Sequence, residues 1–174
     1  MFTANAFLEA GHLKRWAPRT APYVRDFLYR PDWIKKVNAL SGPRRGTLSP
    51  GLSDRGTVFG FVDAFARGDK AAGLVRPVGL GMDPPFKRMR APNEAVVEMR
   101  TARTRTFGFF VQENVYVAVT MESASLLKHK PLPLPDGWID PYLVQAERVQ
   151  NLLRKYISPE SVDWNTDVEL LVTP

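Results

Sequence analysis

The feature that most constrains the fold is a set of three runs rich in Val, Phe, Tyr and Thr. The runs cover residues 95–101, 104–111 and 115–121, with two or three residues between consecutive runs. β-branched and aromatic residues favour strands, and such short connections favour hairpins. The runs therefore predict an antiparallel meander of three strands, and one further short strand would make it four.

Two helices are predicted before the meander. Asp32 can cap a helix over residues 33–40, because its side chain can accept a hydrogen bond from an unpaired amide of the first turn. Ser53 or Asp54 can cap a second helix, which ends before Gly68. The apolar residues of the second helix recur at helical spacing; they are Val58, Phe61, Val62 and Phe65.

A closing helix is predicted after the meander. Asp140 can cap it and Pro141 can open it, since proline at the first helical position lacks only an amide that would have no partner. Its apolar stripe would pack across one face of the sheet and consists of Tyr142, Ala146, Val149, Leu153 and Tyr156. Residues 128–135 are predicted to be extended, because their alternate prolines exclude helix.

This order of elements predicts an α+β fold with N-terminal helices, an antiparallel three- to four-stranded meander sheet and a closing C-terminal helix. The 174 residues suit one domain with a sizeable core. We expect an N-terminal helical or irregular extension over residues 1–54, the domain over residues 55–157 and an acidic tail over residues 158–174. Short strands are expected near residues 74–78 and 168–172.

Composition excludes several kinds of site. The chain has no cysteine and two histidines, so no disulfide framework, thiolate nucleophile or histidine-based metal cage is predicted, and no cofactor or metal is expected. The N-terminus lacks the pattern of a signal peptide, and no apolar run reaches the length of a membrane span. We therefore expect a cytoplasmic protein that does not act at a membrane.

Charge is distributed unevenly along the chain. Residues 1–90 hold 16 Lys+Arg against 7 Asp+Glu, a net charge of +9, whereas residues 91–174 hold 8 against 11, a net charge of −3. The basic half suits a polyanionic partner such as RNA. Arg100, Arg103 and Arg105, at the first hairpin, are an exception within the acidic half.

The hairpins predict which of these arginines meet. A first turn centred on residues 102–103 places Arg100 opposite Arg105, and Glu98 opposite Phe107. A second turn, centred on residues 113–114, places Arg105 opposite Glu122. These side chains would then share one face of the sheet.

Two like charges directly opposite one another are unfavourable, so the pair of Arg100 and Arg105 needs an explanation. In one interpretation, Glu98 and Glu122 neutralise the arginines in a partly buried ion network. In the other, the network holds two guanidinium groups in place for a phosphate. Spacing alone leaves both interpretations open.

The stretch EAVVEMRTARTRTFGFFVQENVYVAV is followed by an extended segment with lysines and by a helix that carries Ala146 and Arg148. This arrangement resembles the RelE/ParE toxin superfamily over about residues 55–156. The Glu-x-Arg of the first strand, with a second arginine opening the next strand, is most similar to the HigB-like or phage-derived branch.

The resemblance implies the toxin of a toxin–antitoxin pair, whose partners are mRNA, the ribosome and a small antitoxin protein such as a helix-turn-helix protein. Such toxins are endoribonucleases that cleave ribosome-bound mRNA without a metal ion. The ribose 2′-hydroxyl attacks the adjacent phosphate, and cations stabilise the charge that develops.

Carried over by position, the resemblance implies that Arg105 stabilises the phosphate and that Arg100 supports it or contacts RNA. Glu98 or Glu122 would be the base. The remaining basic residues are candidate RNA contacts: Lys87, Arg88, Arg90, Arg103, Lys128 and Lys130. Arg103, at the tip of the turn, is equally explained as a solvated side chain.

The sequence departs from the RelE pattern at two places. Val96 and Glu98 stand where the RelE branch has lysines, and residues 123–125 lack its arginine after the last strand. Some ParE-like relatives poison DNA gyrase and cleave no RNA. A non-catalytic RNA- or protein-binding module on the same scaffold therefore remains the alternative function.

Overall fold

The fold is given by a computed structural model, which describes residues 8–9, 11–18, 23–40, 53–69, 86–90, 93, 95–101, 103–128 and 140–156. The strands are β1 (Lys14–Arg15), β2 (Asp26–Tyr29), β3 (Phe86–Arg88), β4 (Val97–Arg100), β5 (Thr104–Gln112) and β6 (Val115–Ser123). The helices are α1 (Pro31–Asn38), α2 (Asp54–Ala66), α3 (Ala124–Lys128) and α4 (Pro141–Tyr156).

The six strands form one mixed sheet in the order β1-β2-β6-β5-β4-β3. Strands β2 and β6 are parallel, and the other neighbours are antiparallel. The predicted α+β class is confirmed. The predicted sheet of three or four antiparallel strands is wrong, because β1, β2 and β3 flank the meander. Each of these strands is two to four residues long, too short to show the alternation that identifies a strand in sequence.

The meander has the register that the sequence predicts. Arg100 pairs with Arg105, and Glu98 pairs with Phe107. Arg105 pairs in turn with Glu122. The pairing shifts by one residue after Phe107, so the prediction holds for the half of β5 that carries the arginine.

Gly108 lies at this shift in β5. A Cβ atom at this position would overlap the carbonyl oxygen of Val117 and crowd the ring of Tyr116. The Tyr116 hydroxyl donates a hydrogen bond to the Val97 carbonyl oxygen at 2.9 Å. Burial raises the pKa of Tyr116, so its hydroxyl stays a donor and ties β6 to β4 across the irregular part of β5.

Helices cover both faces of the sheet. Helices α1 and α2 pack on one face, where the buried residues include Phe27, Trp33, Val58, Phe65, Phe86 and Met99. Helix α4 packs on the other, where they include Leu28, Phe107, Val117, Ala146, Val149 and Leu153. We call the second face the α4 face.

Two predicted caps are confirmed. The Ser53 hydroxyl accepts a hydrogen bond from the Gly56 amide at 3.0 Å and begins α2. An Asp140 carboxylate oxygen accepts one from the Tyr142 amide at 2.8 Å, next to Pro141.

The predicted cap of the first helix is wrong. Helix α1 begins at Pro31, and Arg30 takes the capping position. The fixed φ of proline favours the first helical position, which leaves Asp32 within the first turn. Its carboxylate there contacts Arg30 at 3.5 Å and Lys35 at 3.7 Å.

Residues 1–54, predicted to be an extension, contribute β1, β2 and α1 to the same sheet and core as residues 55–157. Lys128 ends α3 and is therefore helical, where an extended backbone was predicted. The predicted strands near 74–78 and 168–172, Lys130 and the acidic tail lie outside the described residues. Among the described helices, none has the length and apolar character needed to cross a membrane.

Candidate functional site

Two adjacent rows of paired residues, most of them polar, lie on the α4 face. Paired residues of neighbouring strands share a face, so Arg100, Arg105 and Glu122 form one row across β4, β5 and β6. We call it the arginine row. The next row contains Lys87, Glu98, Phe107 and Thr120. Phe107 belongs to the core under α4, which fixes the face of both rows.

Glu98 lies between the two arginines. Arg100 Nε donates a hydrogen bond to Glu98 Oε2 at 2.9 Å, and Arg105 Nε lies 3.0 Å from Glu98 Oε1. The second contact is ionic, because the Arg105 N–H is not directed at the oxygen and neither atom has a hydrogen-bond partner among the described residues. We call Glu98 and Arg105 the buried pair, since their side chains are 4% and 6% exposed.

Arg105 is fixed by the backbone as well as by Glu98. Its Nη1 donates hydrogen bonds to the carbonyl oxygens of Thr101 at 2.7 Å and Thr104 at 2.9 Å. These acceptors belong to the hairpin between β4 and β5. The buried pair therefore holds this turn against the sheet, and Glu98 offsets the repulsion between the two arginines.

Glu122 is paired elsewhere. Its Oε2 lies 3.7 Å from Lys36 Nζ, and its Oε1 accepts a hydrogen bond from the Ser123 amide at 3.0 Å. We call Lys36 and Glu122 the edge pair. Their side chains are 37% and 28% exposed, so solvent reaches both charges.

Lys36 reaches the site because β2 is shorter than β6. The last residue of β2, Tyr29, lies opposite Ala118, and β6 continues to Ser123 without that neighbour. Helix α1 lies beside this part of β6, and Lys36 Nζ donates a hydrogen bond to the Met121 carbonyl oxygen at 2.9 Å. Lys36 thus donates to this carbonyl oxygen the hydrogen bond that a backbone amide of a longer β2 would have donated.

Helix α4 completes the site. Thr120 Oγ1 donates a hydrogen bond to Gln145 Oε1 at 3.0 Å, and Arg148 Nη1 donates to the same oxygen at 3.3 Å. Lys36 Nζ also lies 3.5 Å from Thr120 Oγ1. A chain of polar contacts therefore connects a lysine of α1 with an arginine of α4 across the end of β6.

Sequence reasoning missed Lys36, Gln145 and Arg148 as members of this site. Each of the two α4 residues directly precedes a residue of the predicted apolar stripe, Ala146 or Val149. This position beside the stripe was the available signal. For Lys36 there was no signal, because its position depends on where β2 ends.

The other predicted basic residues are dispersed. Lys87 is exposed in the row of Glu98, and Arg90 is exposed beyond the end of β3. Arg88 pairs with Val97 and so faces the opposite side, under α1 and α2. Arg103 is exposed at the turn, 3.9 Å from Asp54 of α2. Lys128 is exposed at the end of α3.

The arrangement combines a fixed, buried guanidinium with an accessible carboxylate beside an accessible ammonium. It can bind a phosphate and accept a proton from a group next to that phosphate. Within the described residues, no group of three His, Asp or Glu side chains is placed to hold a metal ion.

The chain was compared with protein families, curated proteins and solved structures. No protein-family model matches it, and no curated protein or solved structure matches it significantly.

Proposed function

We propose that this protein is the toxin of a toxin–antitoxin system and a RelE/HigB-like endoribonuclease that cleaves ribosome-bound mRNA without a metal ion. The observation that carries the proposal is the edge pair, an accessible carboxylate and ammonium 3.7 Å apart at the end of the arginine row. The order of α2, the meander and α4, within the part of the chain that the resemblance covers, also supports the proposal.

In the proposed reaction, Glu122 accepts the proton of a ribose 2′-hydroxyl, whose oxygen attacks the adjacent phosphorus. The 5′-oxygen of the next nucleotide leaves and takes a proton from solvent, so that a 2′,3′-cyclic phosphate and a 5′-hydroxyl are formed. Lys36, whose ammonium lies 3.7 Å from Glu122, stabilises the extra negative charge on the oxygens of that phosphate.

The buried pair has a different role in this proposal from the one implied by sequence position. Arg105 is 6% exposed and already donates to two carbonyl oxygens. It therefore positions the hairpin and the neighbouring Arg100, and it does not contact the phosphate. Glu98, bonded to Arg100, is likewise a positioning residue, which leaves Glu122 as the base.

Induction of the protein in growing bacteria tests the proposal. Wild-type protein should arrest growth and cut transcripts, and Glu122→Gln should abolish both effects at an equal level of folded protein. Glu113→Gln is the matched control, because Glu113 is exposed in the β5–β6 turn. Coexpression of a small protein encoded by the adjacent gene should restore growth. Normal growth with intact transcripts after induction of the wild type would refute the proposal.

A second candidate is a non-catalytic RNA- or protein-binding module on the same scaffold. It is favoured by the burial of Glu98 and Arg105, whose charges satisfy each other. This candidate predicts RNA binding without growth arrest, weakened by Arg100→Gln and unaffected by Glu122→Gln. The induction experiment and an RNA-binding measurement together separate the two candidates.

A further inference from the structure

We infer that Lys36 of α1 binds a phosphate of the RNA strand at the edge of β6, and that Arg100 binds a neighbouring phosphate of the same strand. The inference rests on the proposed action on RNA and extends its site into residues 1–54. The resemblance covers about residues 55–156 and gives no role to α1.

The first argument is that the ammonium group of Lys36 is held in place. It donates to the Met121 carbonyl oxygen at 2.9 Å and lies 3.5 Å from Thr120 Oγ1. A free lysine side chain loses rotational entropy when it binds a ligand. Because Lys36 is already ordered by these two oxygens, it loses less entropy when a phosphate binds.

The second argument is that Lys36 keeps a donor for a ligand. An ammonium group has three N–H donors, and two of them are directed at Met121 and Thr120. Glu122 Oε2, at 3.7 Å, is beyond hydrogen-bond distance and partly exposed. The third donor can therefore reach a phosphate oxygen at the solvent side, while Glu122 remains close enough to act on the adjacent ribose.

The third argument is the spacing of Lys36 and Arg100, whose side chains are 37% and 14% exposed. Lys36 lies at the β6 end of the arginine row and Arg100 at the β4 end, with Arg105 buried between them. Strands β4 and β6 are two strand spacings apart, about 10 Å. This spacing of the strand backbones suits contacts of the two cations with neighbouring phosphates of one RNA strand.

The charge of the site also favours a polyanion. Lys36, Arg100 and Arg105 carry three positive charges, and Glu98 and Glu122 carry two negative charges, which leaves the set at +1. The negative charges are the less exposed ones in both pairs. An approaching phosphate therefore meets the cations first.

The competing explanation is that Lys36 only satisfies the Met121 carbonyl at an uncovered strand edge. Lys35→Gln is the matched control for both explanations, because Lys35 is the exposed neighbour on the same helix and loses the same charge. Lys36→Arg keeps the charge of Lys36 and changes its hydrogen bonding.

The experiment measures binding of a single-stranded RNA oligonucleotide against salt concentration. The oligonucleotide carries 2′-O-methyl groups, so that it lacks the attacking hydroxyl and stays intact. Lys36→Gln should lower the slope of log affinity against log salt by about 0.7 and weaken binding about fivefold at 0.1 M salt. Lys35→Gln should bind as the wild type does, and Lys36→Arg should retain most of the affinity.

Near-ultraviolet circular dichroism confirms that each variant is folded at the temperature used. Equal affinities and slopes for Lys36→Gln and Lys35→Gln would overturn the inference and leave the proposed function intact. A wild-type protein that does not bind the oligonucleotide would overturn both.

Discussion

The buried pair and the edge pair are both ion pairs on the same face of one sheet, yet their surroundings differ. Glu98 and Arg105 lie 3.0 Å apart and are almost inaccessible, whereas Lys36 and Glu122 lie 3.7 Å apart and are partly solvated. Removing one partner of a buried pair leaves an uncompensated charge in the interior. Removing one partner of a surface pair leaves the other charge solvated by water, which costs much less free energy. Burial therefore distinguishes Glu98 and Arg105, which support the site, from Lys36 and Glu122, which can contact a ligand.

The largest expected effect is on activity, at the edge pair. Glu122→Gln keeps the size of the side chain and removes the base, so we expect transcript cleavage to slow by about 100- to 10,000-fold. The free energy of unfolding should change by less than about 1 kcal/mol, because Glu122 is partly exposed. Cleavage kinetics and urea unfolding of the same preparation measure the two effects. A large loss of stability would assign Glu122 a structural role.

The largest effect on stability is expected at the buried pair. Glu98→Ala leaves Arg105 without its carboxylate and should lower the free energy of unfolding by about 3–5 kcal/mol. The control Glu113→Ala, in the exposed turn, should change it by less than about 0.5 kcal/mol. Urea unfolding followed by tryptophan fluorescence gives both values, and similar values for the two variants would contradict the assignment.

A double-mutant cycle tests whether Glu98 and Arg105 act as a pair. Arg105→Met and Glu98→Gln should each destabilise the protein, and the double variant should be less destabilised than the sum by about 0.5–3 kcal/mol. Arg100 is present in every variant, and the loss of its bond to Glu98 Oε2 in both Glu98→Gln variants cancels, so the cycle isolates the contact with Arg105. Simple additivity would show that the 3.0 Å contact contributes no coupling.

The smallest expected effect is the contribution of Lys36 to stability. Lys36→Gln removes an ion pair and weakens the hydrogen bond to the Met121 carbonyl, so we expect a loss of about 0.5–1 kcal/mol. Lys35→Gln, which removes an exposed pair with Asp32, should lower stability by less than about 0.5 kcal/mol. Thermal unfolding at low and high salt measures both changes. A loss well above 1 kcal/mol for Lys36→Gln would show that Lys36, like Glu98 and Arg105, mainly stabilises the fold.

Local sequence was sufficient to predict the meander and its register around the arginines, but not the one-residue shift after Phe107. Two short turns set which residues of β4, β5 and β6 meet, so the positions of Arg100, Arg105 and Glu122 follow from counting along the chain. The caps at Ser53 and Asp140 were predictable for the same reason, because a cap depends on residues within one helical turn.

The rest depends on contacts between distant parts of the chain. Strand β2 pairs with β6 across more than eighty residues, and nothing in its four residues identifies that partner. The end of β2 in turn decides that Lys36 meets Glu122. The burial of Arg105 was also not predictable, because the same spacing fits an accessible arginine and a buried one.

The measurement that tests the central claim most directly is the chemistry of the ends produced by transcript cleavage. Purified wild-type protein would be added to a translating extract, and the fragments of a defined mRNA would be mapped and their ends analysed. Attack by the 2′-hydroxyl predicts a 2′,3′-cyclic phosphate on the upstream fragment and a 5′-hydroxyl on the downstream one, both missing with Glu122→Gln. Fragments with 5′-phosphate ends, or an uncut mRNA, would contradict the proposed ribonuclease mechanism.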